Sequence, residues 1–500
     1  MDHAERTRQL ETKPVGRLLF ELSLPAVAAA TINASHNLVN RYFVGQTLHE
    51  DGMAAVTLSF PIMTVMLAAG MMISIGSGSL ISIRLGEKKN DEAERIVGQA
   101  IFLFILMSVG FMVFGLLFLD PMLRLFQTDP NVLPLAKQYI SILVFGAFFH
   151  EMSFGVNGFL RAEGKARTAM ITTLISALLN IFFDWLFLIH FRTGIWGAAT
   201  ATLLAQFFST AWIMWHYTSG KTLLRWRLKY IRWDTDLAQK VFMLGLPPFI
   251  MQVFNFILQS LQIYQLSHYG KLYGVNHGLE RGDVLAQSVI GVIFVVSMCV
   301  FFPLLGLNQG MQPIVGYNIG ARRFDRVAKA LKLTICCSLI FTVFCSAFIL
   351  IFPEPFLRPF INNDSPLATE SLVLGSHALR IFISSLAAAG IVVLAAGYFQ
   401  SNGMPKKAIA LTMMRQVVLL IPILIFLPRI LESMPGFNGL DGIWLAVPIS
   451  DIGGFFLALY FLIAEFRRLK AEAKKGIVGS GQSSVVSRQS TNDGQQSTAD

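Results

Sequence analysis

Charged residues are scarce in this sequence, and that scarcity excludes most classes of soluble protein. Asp, Glu, Lys and Arg make up 14% of the 500 residues and hydrophobic residues 54%, whereas a soluble globular chain carries about 25% charged residues. Cysteine is also rare, and the four cysteines lie in apolar stretches without the spacing of metal ligands. The composition predicts an all-α polytopic membrane protein without a disulfide framework.

Twelve apolar segments are long enough to cross a bilayer, since a spanning helix needs about 20 residues. Six precede and six follow a basic link that contains aromatic residues. We number them TM1 to TM12 in chain order. They cover residues 17–40, 53–83, 96–119, 134–159, 167–189, 194–217, 239–266, 283–315, 328–352, 371–399, 406–427 and 441–464.

The two sets of six segments repeat one another. Residues 86–91 (Gly-Glu-Lys-Lys-Asn-Asp) follow TM2, and residues 320–325 (Gly-Ala-Arg-Arg-Phe-Asp) follow TM8. A Leu-Pro pair in TM1, ending at Pro25, likewise corresponds to one in TM7 that ends at Pro247. This order predicts two parallel six-helix repeats, related by a pseudo-twofold axis along the membrane normal, with a substrate site between them near the bilayer midplane.

The basic residues predict the orientation in the membrane. Of the 40 Lys and Arg residues, 30 lie on the side of the N-terminus and 8 on the opposite side, so the positive-inside rule places both termini in the cytoplasm. The net charge of +10 is scattered over loops that face anionic lipid, and it does not indicate a nucleic-acid partner. We predict a multi-pass protein of the inner (cytoplasmic) cell membrane.

The predicted organisation has five parts. The link mixes cations with Trp226, Tyr230 and Trp233, as an interfacial tether does, and the last residues turn to Gly, Ser, Gln and Thr, the composition of a disordered tail. The parts are a cytoplasmic N-terminal segment (1–16), an N-lobe (17–217), a cytoplasmic interfacial linker (218–238), a C-lobe (239–464) and a cytoplasmic, mostly disordered tail (465–500).

Ionisable residues are rare inside the spans, and Asp184 in TM5 is the strongest candidate for a functional one. A charge at bilayer depth costs about 2.5 to 3.5 kcal/mol and persists mainly where it has a task. Asn180 precedes Asp184 by one helical turn, and Thr202 and Gln206 repeat that step on TM6. Converging carboxylate, amide and hydroxyl oxygens would bind a small cation or a proton. The alternative is a carboxylate buried for packing only.

Two stripes of amides occupy corresponding positions in TM1 and TM7. Each begins about two turns after a proline that can bend its helix. We predict that both line a central cavity, with interhelical hydrogen bonding as the alternative. The TM1 stripe is Asn33, Asn37 and Asn40 after Pro25, and the TM7 stripe is Asn255, Gln259 and Gln262 after Pro247.

Several single polar residues are weaker candidates. None has a partner at helical spacing, so each is more often a tolerated polar residue than a proton relay. Arg415 in TM11 can extend toward the cytoplasm or pair internally. The possible relay groups are His36, His150, Glu151, His377 and Asp451.

Six motifs, taken together and in this order, resemble the multidrug and toxic compound extrusion (MATE) family, MepA-like branch. The resemblance extends from about residue 15 to 465. It implies two six-helix lobes around a V-shaped cavity, alternating access, and export of amphipathic, often cationic compounds driven by protons or sodium ions. The motifs lie at residues 37–45, 83–89, 157–164, 197–202, 306–321 and 415–422.

The resemblance also implies a set of site residues. Prokaryotic members form an N-lobe cation site from an Asp on the first helix, an Asn and an Asp on the fifth and a Thr on the sixth; the matching residues are Asn40, Asn180, Asp184 and Thr202. Position 40 departs from the family because it carries Asn. One carboxylate then remains, which favours protons over sodium as the coupling ion. We assign Asn157 and Gln206, with the amide stripes, to the substrate cavity.

The leading hypothesis is therefore a secondary active multidrug exporter, a cation-coupled antiporter that works as a monomer in the lipid bilayer without a cofactor or resident metal. The alternative is a lipid-linked oligosaccharide flippase of the wider superfamily, although the spans contain few cations for a pyrophosphate cargo. An intramembrane enzyme would need a His/Glu metal pair or a Ser/His dyad on the helices. A channel would need a filter motif.

Overall fold

A computed structural model describes residues 10–125, 132–219, 222–278, 282–360 and 368–496. Within these residues the chain forms helices and turns and no strand. The helices of the first repeat and the link after it are α1 (Val15–Gly86), α2 (Asn90–Leu117), α3 (Leu119–Leu125), α4 (Val132–Phe145), α5 (Ala147–Ala162), α6 (Ala166–Asp184), a π-helical turn (Trp185–His190), α7 (Ile195–Thr218) and a 3-10 turn (Leu228–Tyr230).

The second repeat has the same kind of helices. Long apolar helices alternate with short turns, as they do in the first repeat. They are α8 (Thr235–His277), α9 (Gly282–Gly320), α10 (Phe324–Ile351), α11 (Glu354–Leu357), a 3-10 turn (Arg358–Phe360), α12 (Ala368–Ile383), α13 (Leu386–Ser401), α14 (Pro405–Met413), a π-helical turn (Met414–Leu420), α15 (Ile421–Glu432) and α16 (Gly439–Gln496).

Helix α1 covers both TM1 and TM2, yet the chain reverses within it. Val27 packs against Gly306 of α9, and Ile83 packs against Gly320 of the same helix. In a straight helix residues 27 and 83 would be about 84 Å apart, whereas residues 306 and 320 are only about 21 Å apart. The chain therefore crosses the bilayer twice within α1.

The described residues contain nine helices that are long and apolar enough to cross a membrane, and two bent helix pairs raise the number to eleven. TM6 corresponds to Ile195–Thr218, whose 24 residues also suffice at 1.5 Å per residue for a core of about 30 Å. The prediction of an all-α polytopic fold with twelve spans in two repeats is confirmed.

TM4 and TM10 are bent, although the sequence predicts each as an uninterrupted span. The breaks occur at Gly146 and Ser385, which occupy equivalent places in the two repeats. Gly146 is a weaker helix former than the apolar residues around it, and the Ser385 hydroxyl bonds a side chain of another span. The bends are 53° between Val132–Phe145 and Ala147–Ala162, and 43° between Thr369–Ile383 and Leu386–Ser401.

The turns after TM2 and TM8 have the same backbone shape. Lys88 and Arg322 both adopt positive φ angles, of 61° and 55°, which non-glycine residues rarely do. The residue after each donates its N–H to a carbonyl five positions earlier, at 2.9 Å in the first turn and 2.8 Å in the second. The repeat that the sequence predicts is thus present in the backbone.

Buried apolar side chains form three clusters that show how the repeats meet. The largest contains residues of both repeats, including Leu85 and Val97 from the first and Tyr317 and Val327 from the second. Each of the other two belongs to one repeat only. The repeats are therefore joined at the end that carries the turns after TM2 and TM8, which we call the turn side, and they pack separately toward the other end.

Glycines let the backbones of the two repeats touch on the turn side. Gly86 of α1 lies against the carbonyl oxygen of Tyr317 in α9, and Gly320 of α9 lies against the carbonyl oxygen of Ile83 in α1. The two contacts are equivalent under the repeat. A Cβ atom on either glycine would overlap the facing oxygen. We call these two contacts the glycine seam, and it joins the two repeats on the turn side.

The link between the repeats packs on the first repeat. Glu94 of α2 pairs with Arg227 at 2.7 Å, and the Gln99 side chain accepts a hydrogen bond from the Asp234 backbone N–H at 2.9 Å. The bounds of the five predicted parts stay predictions. The side chains beyond residue 474 lie outside the described residues, so the disordered tail stays a prediction too.

Candidate functional site

The candidate site lies where TM1, TM5 and TM6 approach one another. Asp184 and Asn180 occupy one face of α6, and Thr202 faces them from α7; all three side chains are buried. Asp184 lies about 27 Å along α6 from its first residue on the turn side. The site is therefore toward the end at which the two repeats pack separately.

Asn180 is the centre of this cluster, and its amide fits two hydrogen-bonding schemes. In the first, Asn180 Oδ1 lies 2.7 Å from His36 Nε2 and Nδ2 donates to Thr202 Oγ1 at 3.3 Å. In the second, the amide nitrogen donates to His36 Nε2 at 2.7 Å and to Asp184 Oδ2 at 3.0 Å, while the oxygen accepts from the Thr202 N–H at 3.3 Å.

The two schemes differ in where His36 carries a proton. The first requires a proton on Nε2, because an amide oxygen only accepts; the second requires a bare Nε2 that accepts from the amide nitrogen. Rotation of the Asn180 amide therefore depends on whether His36 Nε2 carries a hydrogen, as it does in one neutral tautomer and in the imidazolium, and it decides whether Asp184 receives a hydrogen bond.

Asp184 retains unused hydrogen-bonding capacity. Its Oδ1 atom is buried and has no hydrogen-bond partner among the described residues. The buried phenol of Tyr139, on the part of TM4 before the bend, interacts electrostatically with this carboxyl group. A buried carboxylate that is only partly satisfied is costly unless it binds a proton or a cation.

The structure brings together three of the four residues predicted for the coupling site. The fourth, Asn40, is half-buried one turn after His36 on TM1, and no hydrogen bond joins its side chain to the cluster among the described residues. His36 contacts Asn180 instead. Its position one turn before Asn40 was the available signal, but the partner lies 144 residues away.

The other polar residues predicted in the first repeat lie apart from this cluster. Gln206 is half-buried and its Nε2 lies 2.9 Å from His150 Nδ1, whereas Asn157 is buried and donates to the Ser153 carbonyl at 3.0 Å. Asn33 is exposed. The side chain of Asn37 lies outside the described residues.

In the second repeat, the amides of the TM7 stripe have different surroundings. Asn255 accepts a hydrogen bond from Gln416 Nε2 at 3.1 Å and donates to Gln252 at 3.2 Å. Gln262 is buried, whereas Gln259 is exposed. Interhelical hydrogen bonding, the alternative reading of the stripe, thus applies to Asn255. The assignment of the stripes to a substrate cavity stays a prediction, as does bending at Pro25 and Pro247.

Arg415 pairs internally and does not extend to the surface. Its Nε donates to Asp451 Oδ1 at 2.5 Å, and the Ser385 hydroxyl donates to Asp451 Oδ2 at 2.8 Å. Both carboxylate oxygens of this acid are therefore satisfied. His377 similarly lies 2.8 Å from Asp441. Within the described residues, no group of three or more His, Cys, Asp or Glu residues is placed to hold a metal ion.

A family model matches this arrangement of repeats. The MatE model matches residues 25–186 and 284–426, more than half of the chain and parts of both repeats. The chain belongs to the MatE family. The matched segments include Asn40, Asn180 and Asp184.

Curated relatives of this MatE protein include the multidrug export protein MepA of Staphylococcus haemolyticus, which is 22% identical over 94% of this chain and 98% of the relative. MepA of Staphylococcus aureus strain NCTC 8325 is 22% identical over 88% of this chain and 92% of the relative.

Solved structures share the fold. An outward-facing multidrug resistance MATE family transporter of the MOP superfamily superposes with a TM-score of 0.81 at 22% identity, covering 93% of this chain and 98% of that one. A MOP superfamily transporter from Pyrococcus furiosus, whose binding pocket has reversed polarity, superposes with a TM-score of 0.80 at 23% identity, covering 93% and 98%.

Proposed function

We propose that this protein is a proton-coupled exporter of amphipathic, often cationic small molecules that works by alternating access in the cell membrane. Membership of the MatE family and similarity to the multidrug export protein MepA over nearly the whole chain support export of drug-like compounds. Each chain contains both lobes of the cavity, so we propose that it works as a monomer. The same family membership supports transport and not an enzymatic reaction.

The proposal of proton coupling rests on one observation, the contact of His36 with Asn180 at 2.7 Å. The family carboxylate of TM1 is Asn40 here, and an imidazole from one turn earlier reaches the site. Sodium is a hard cation that favours oxygen ligands, whereas an imidazole nitrogen binds a proton. The exchange removes a negative oxygen ligand and adds a proton-binding nitrogen, so it favours protons.

The chemistry of the site suggests how protons alter the conformation. A proton on Asp184 neutralises a buried charge, and a proton on His36 Nε2 selects the scheme in which Asn180 turns away from Asp184. Either event changes the hydrogen bonds that join TM1, TM5 and TM6. A ligand can shift a conformational equilibrium only when it binds the two states with different affinity, and this site provides such a difference for the proton.

We propose that this conformation opens to the outside. The glycine seam and the largest buried cluster join the lobes on the turn side, and the lobes pack separately toward the other end. The predicted orientation, with both termini in the cytoplasm, makes the turn side the cytoplasmic one. Arg415 does not support the flippase alternative. Its guanidinium group is paired with Asp451, so it is not a free cation for a pyrophosphate-bearing cargo.

The test is efflux of a fluorescent cationic dye from proteoliposomes with independently imposed pH and sodium gradients. We expect the pH gradient, with the cytoplasmic side alkaline, to drive dye movement and the sodium gradient alone to have little effect. The matched control is Glu94→Gln, which removes a buried carboxyl from the linker contact. Movement that depends on sodium alone would overturn proton coupling, and no gradient-driven movement of any dye would overturn export itself.

A further inference from the structure

A second buried acid of the first repeat has no role in the proposed site. Glu151 lies on α5, about 17 Å from the end of that helix on the turn side, and its side chain is fully buried. Neither Oε1 nor Oε2 has a hydrogen-bond partner among the described residues. A native structure contains few such groups, and an unpartnered buried acid calls for a physical explanation.

The carboxyl group of Glu151 lies in a tight contact between TM2 and TM4. It rests against Gly70 of TM2, where a Cβ atom would overlap it. One turn further along each helix, the Ser74 hydroxyl donates to the Gly155 carbonyl at 2.8 Å. Small residues thus bring the two helices together around the acid and leave it no room for a partner.

No charge among the described residues compensates this acid. The helices packed against α5 are α1, α2, α4, α6, α7 and α9, and among their described residues no charged or titratable side chain interacts with Glu151. His150, its neighbour in the chain, contacts Gln206 instead. Asp184 belongs to the cluster around Asn180.

We propose that Glu151 is a second proton-binding carboxyl of the transport cycle, separate from Asp184. An ionised carboxylate without a partner is costly in a protein interior or at bilayer depth, so the contact with Gly70 suits the neutral acid. Loss of the proton leaves a charge that must gain water or a partner, which requires TM2 and TM4 to separate. Protonation of Glu151 therefore favours the conformation described above. This inference rests on the proposed function.

The bend in TM4 gives Glu151 a physical connection to the first site. Glu151 lies just after the 53° bend between the two parts of TM4, and Tyr139, which interacts with Asp184, lies before it. Glu151 and Tyr139 belong to the two parts of the same bent span, TM4. If TM2 moves away from the part that carries Glu151, the bend of TM4 can change. Glu151 and the residue that interacts with Asp184, Tyr139, thus lie on either side of one bend, and a bent span of this kind can act as a single two-state element that both sites bias.

The experiment counts neutral carboxylic acids without relying on transport. Infrared difference spectra of the reconstituted protein are recorded between acidic and alkaline buffer, and the carbonyl band of neutral acids is followed. We expect Glu151→Gln and Asp184→Asn each to remove a different part of that band, and the double variant to remove both. In the dye efflux assay, the Glu151→Gln variant should use one proton fewer for each dye molecule exported. Its efflux rate should also depend less steeply on pH.

Two further variants keep the test decisive. Glu151→Asp retains a titrating carboxyl and should restore a shifted band, which a purely structural role for the side chain would not predict. Glu94→Gln removes a buried but paired carboxyl and should change neither the Glu151 band nor the proton ratio. An unchanged band and an unchanged ratio in Glu151→Gln would overturn the inference. Dye export can fail while both bands remain, which would refute the proposed function only.

Discussion

The two repeats carry buried acids inside their spans, but the acids have opposite surroundings. In the first repeat, Asp184 has one oxygen and Glu151 both oxygens without a hydrogen-bond partner among the described residues. In the second, Asp451 is bound by Arg415 and Ser385. The first lobe thus carries acids with unpartnered oxygens, whereas Asp451 of the second lobe has a partner for each of its two oxygens.

This difference indicates a division of labour. An acid that gains or loses a proton can change the packing of its helices, whereas an acid paired with an arginine links the helices that carry the two residues. The first repeat is therefore the lobe expected to respond to the proton gradient. The second is expected to act as a fixed partner, and the substitutions below test that contrast from the largest effect to the smallest.

Asp184→Asn should have the largest functional effect. The amide mimics a permanently protonated acid, so dye binding should survive while gradient-driven efflux falls to the level of liposomes without protein. Efflux and dye binding are measured on the same preparation. Wild-type rates with normal membrane expression would show that coupling lies elsewhere and that Asp184 is structural.

Asp451→Asn should instead lower stability, because it leaves the partly buried Arg415 without a counter-charge, and the loss should stay below the about 3 to 5 kcal/mol that a fully buried unpaired charge costs. Thermal unfolding in detergent measures the loss. The double variant Arg415→Met with Asp451→Asn removes both charges and should recover most of it. If Asp451→Asn retained wild-type stability but lost proton-driven efflux, the contrast between the lobes would be wrong.

Asn40→Asp should raise sodium affinity, because it restores the second carboxylate of the family pattern. One added charge at about 4 Å contributes up to about 4 kcal/mol at an effective dielectric constant of 20, and about 1.4 kcal/mol is a tenfold change in affinity. Sodium-dependent dye efflux reports the gain. In the Asp184→Asn background the change should have no effect if the two positions act as one unit.

Glu163, in the turn after TM4, should give the smallest effect. Burial raises the pKa of its carboxyl, opposed by Lys165 and by hydrogen bonds from Leu223 and Tyr217. An acid whose folded-state pKa is raised contributes stability below its usual pKa of about 4.5 and loses it as pH rises through the folded-state value.

Glu163→Gln should therefore flatten the decline of the melting temperature between about pH 4.5 and the higher pKa of the folded protein. Lys165, Leu223 and Tyr217 oppose the rise in the pKa of Glu163. The change in melting temperature should therefore be a fraction of that expected for Asp451→Asn. Melting curves across this pH range, with Glu94→Gln as the matched control, provide the measurement. A steeper decline in the variant would mean that the ionised form is the one stabilised by folding.

The spans and the repeat could be predicted because both signals are local. A run of apolar residues is visible within one window, and the duplicated turns produced the same positive φ at Lys88 and Arg322. The bends in TM4 and TM10 were missed because a single Gly or Ser interrupts neither the length nor the hydropathy of a span. Whether such a residue bends a helix depends on what packs beside it.

The site was predicted only as far as single helices allow. Helical spacing placed Asn180 and Asp184 on one face, but it gives no distance between helices, so the contact of His36 with Asn180 could not be foreseen. Arg415 shows the same limit, because extension to the surface and internal pairing were both consistent with its position. The structure shows internal pairing, and the partner, Asp451, lies on another span.

The glycine seam has a consequence for the cell's energy supply. Gly86 and Gly320 bring backbone against backbone, so we expect no file of water molecules between these two helix ends, along which protons would otherwise leak down the membrane potential. Even a methyl group at either position would hold the helices apart. Gly86→Ala or Gly320→Ala should thus discharge the gradient in dye-free vesicles, a current that consumes metabolic energy without moving any cargo.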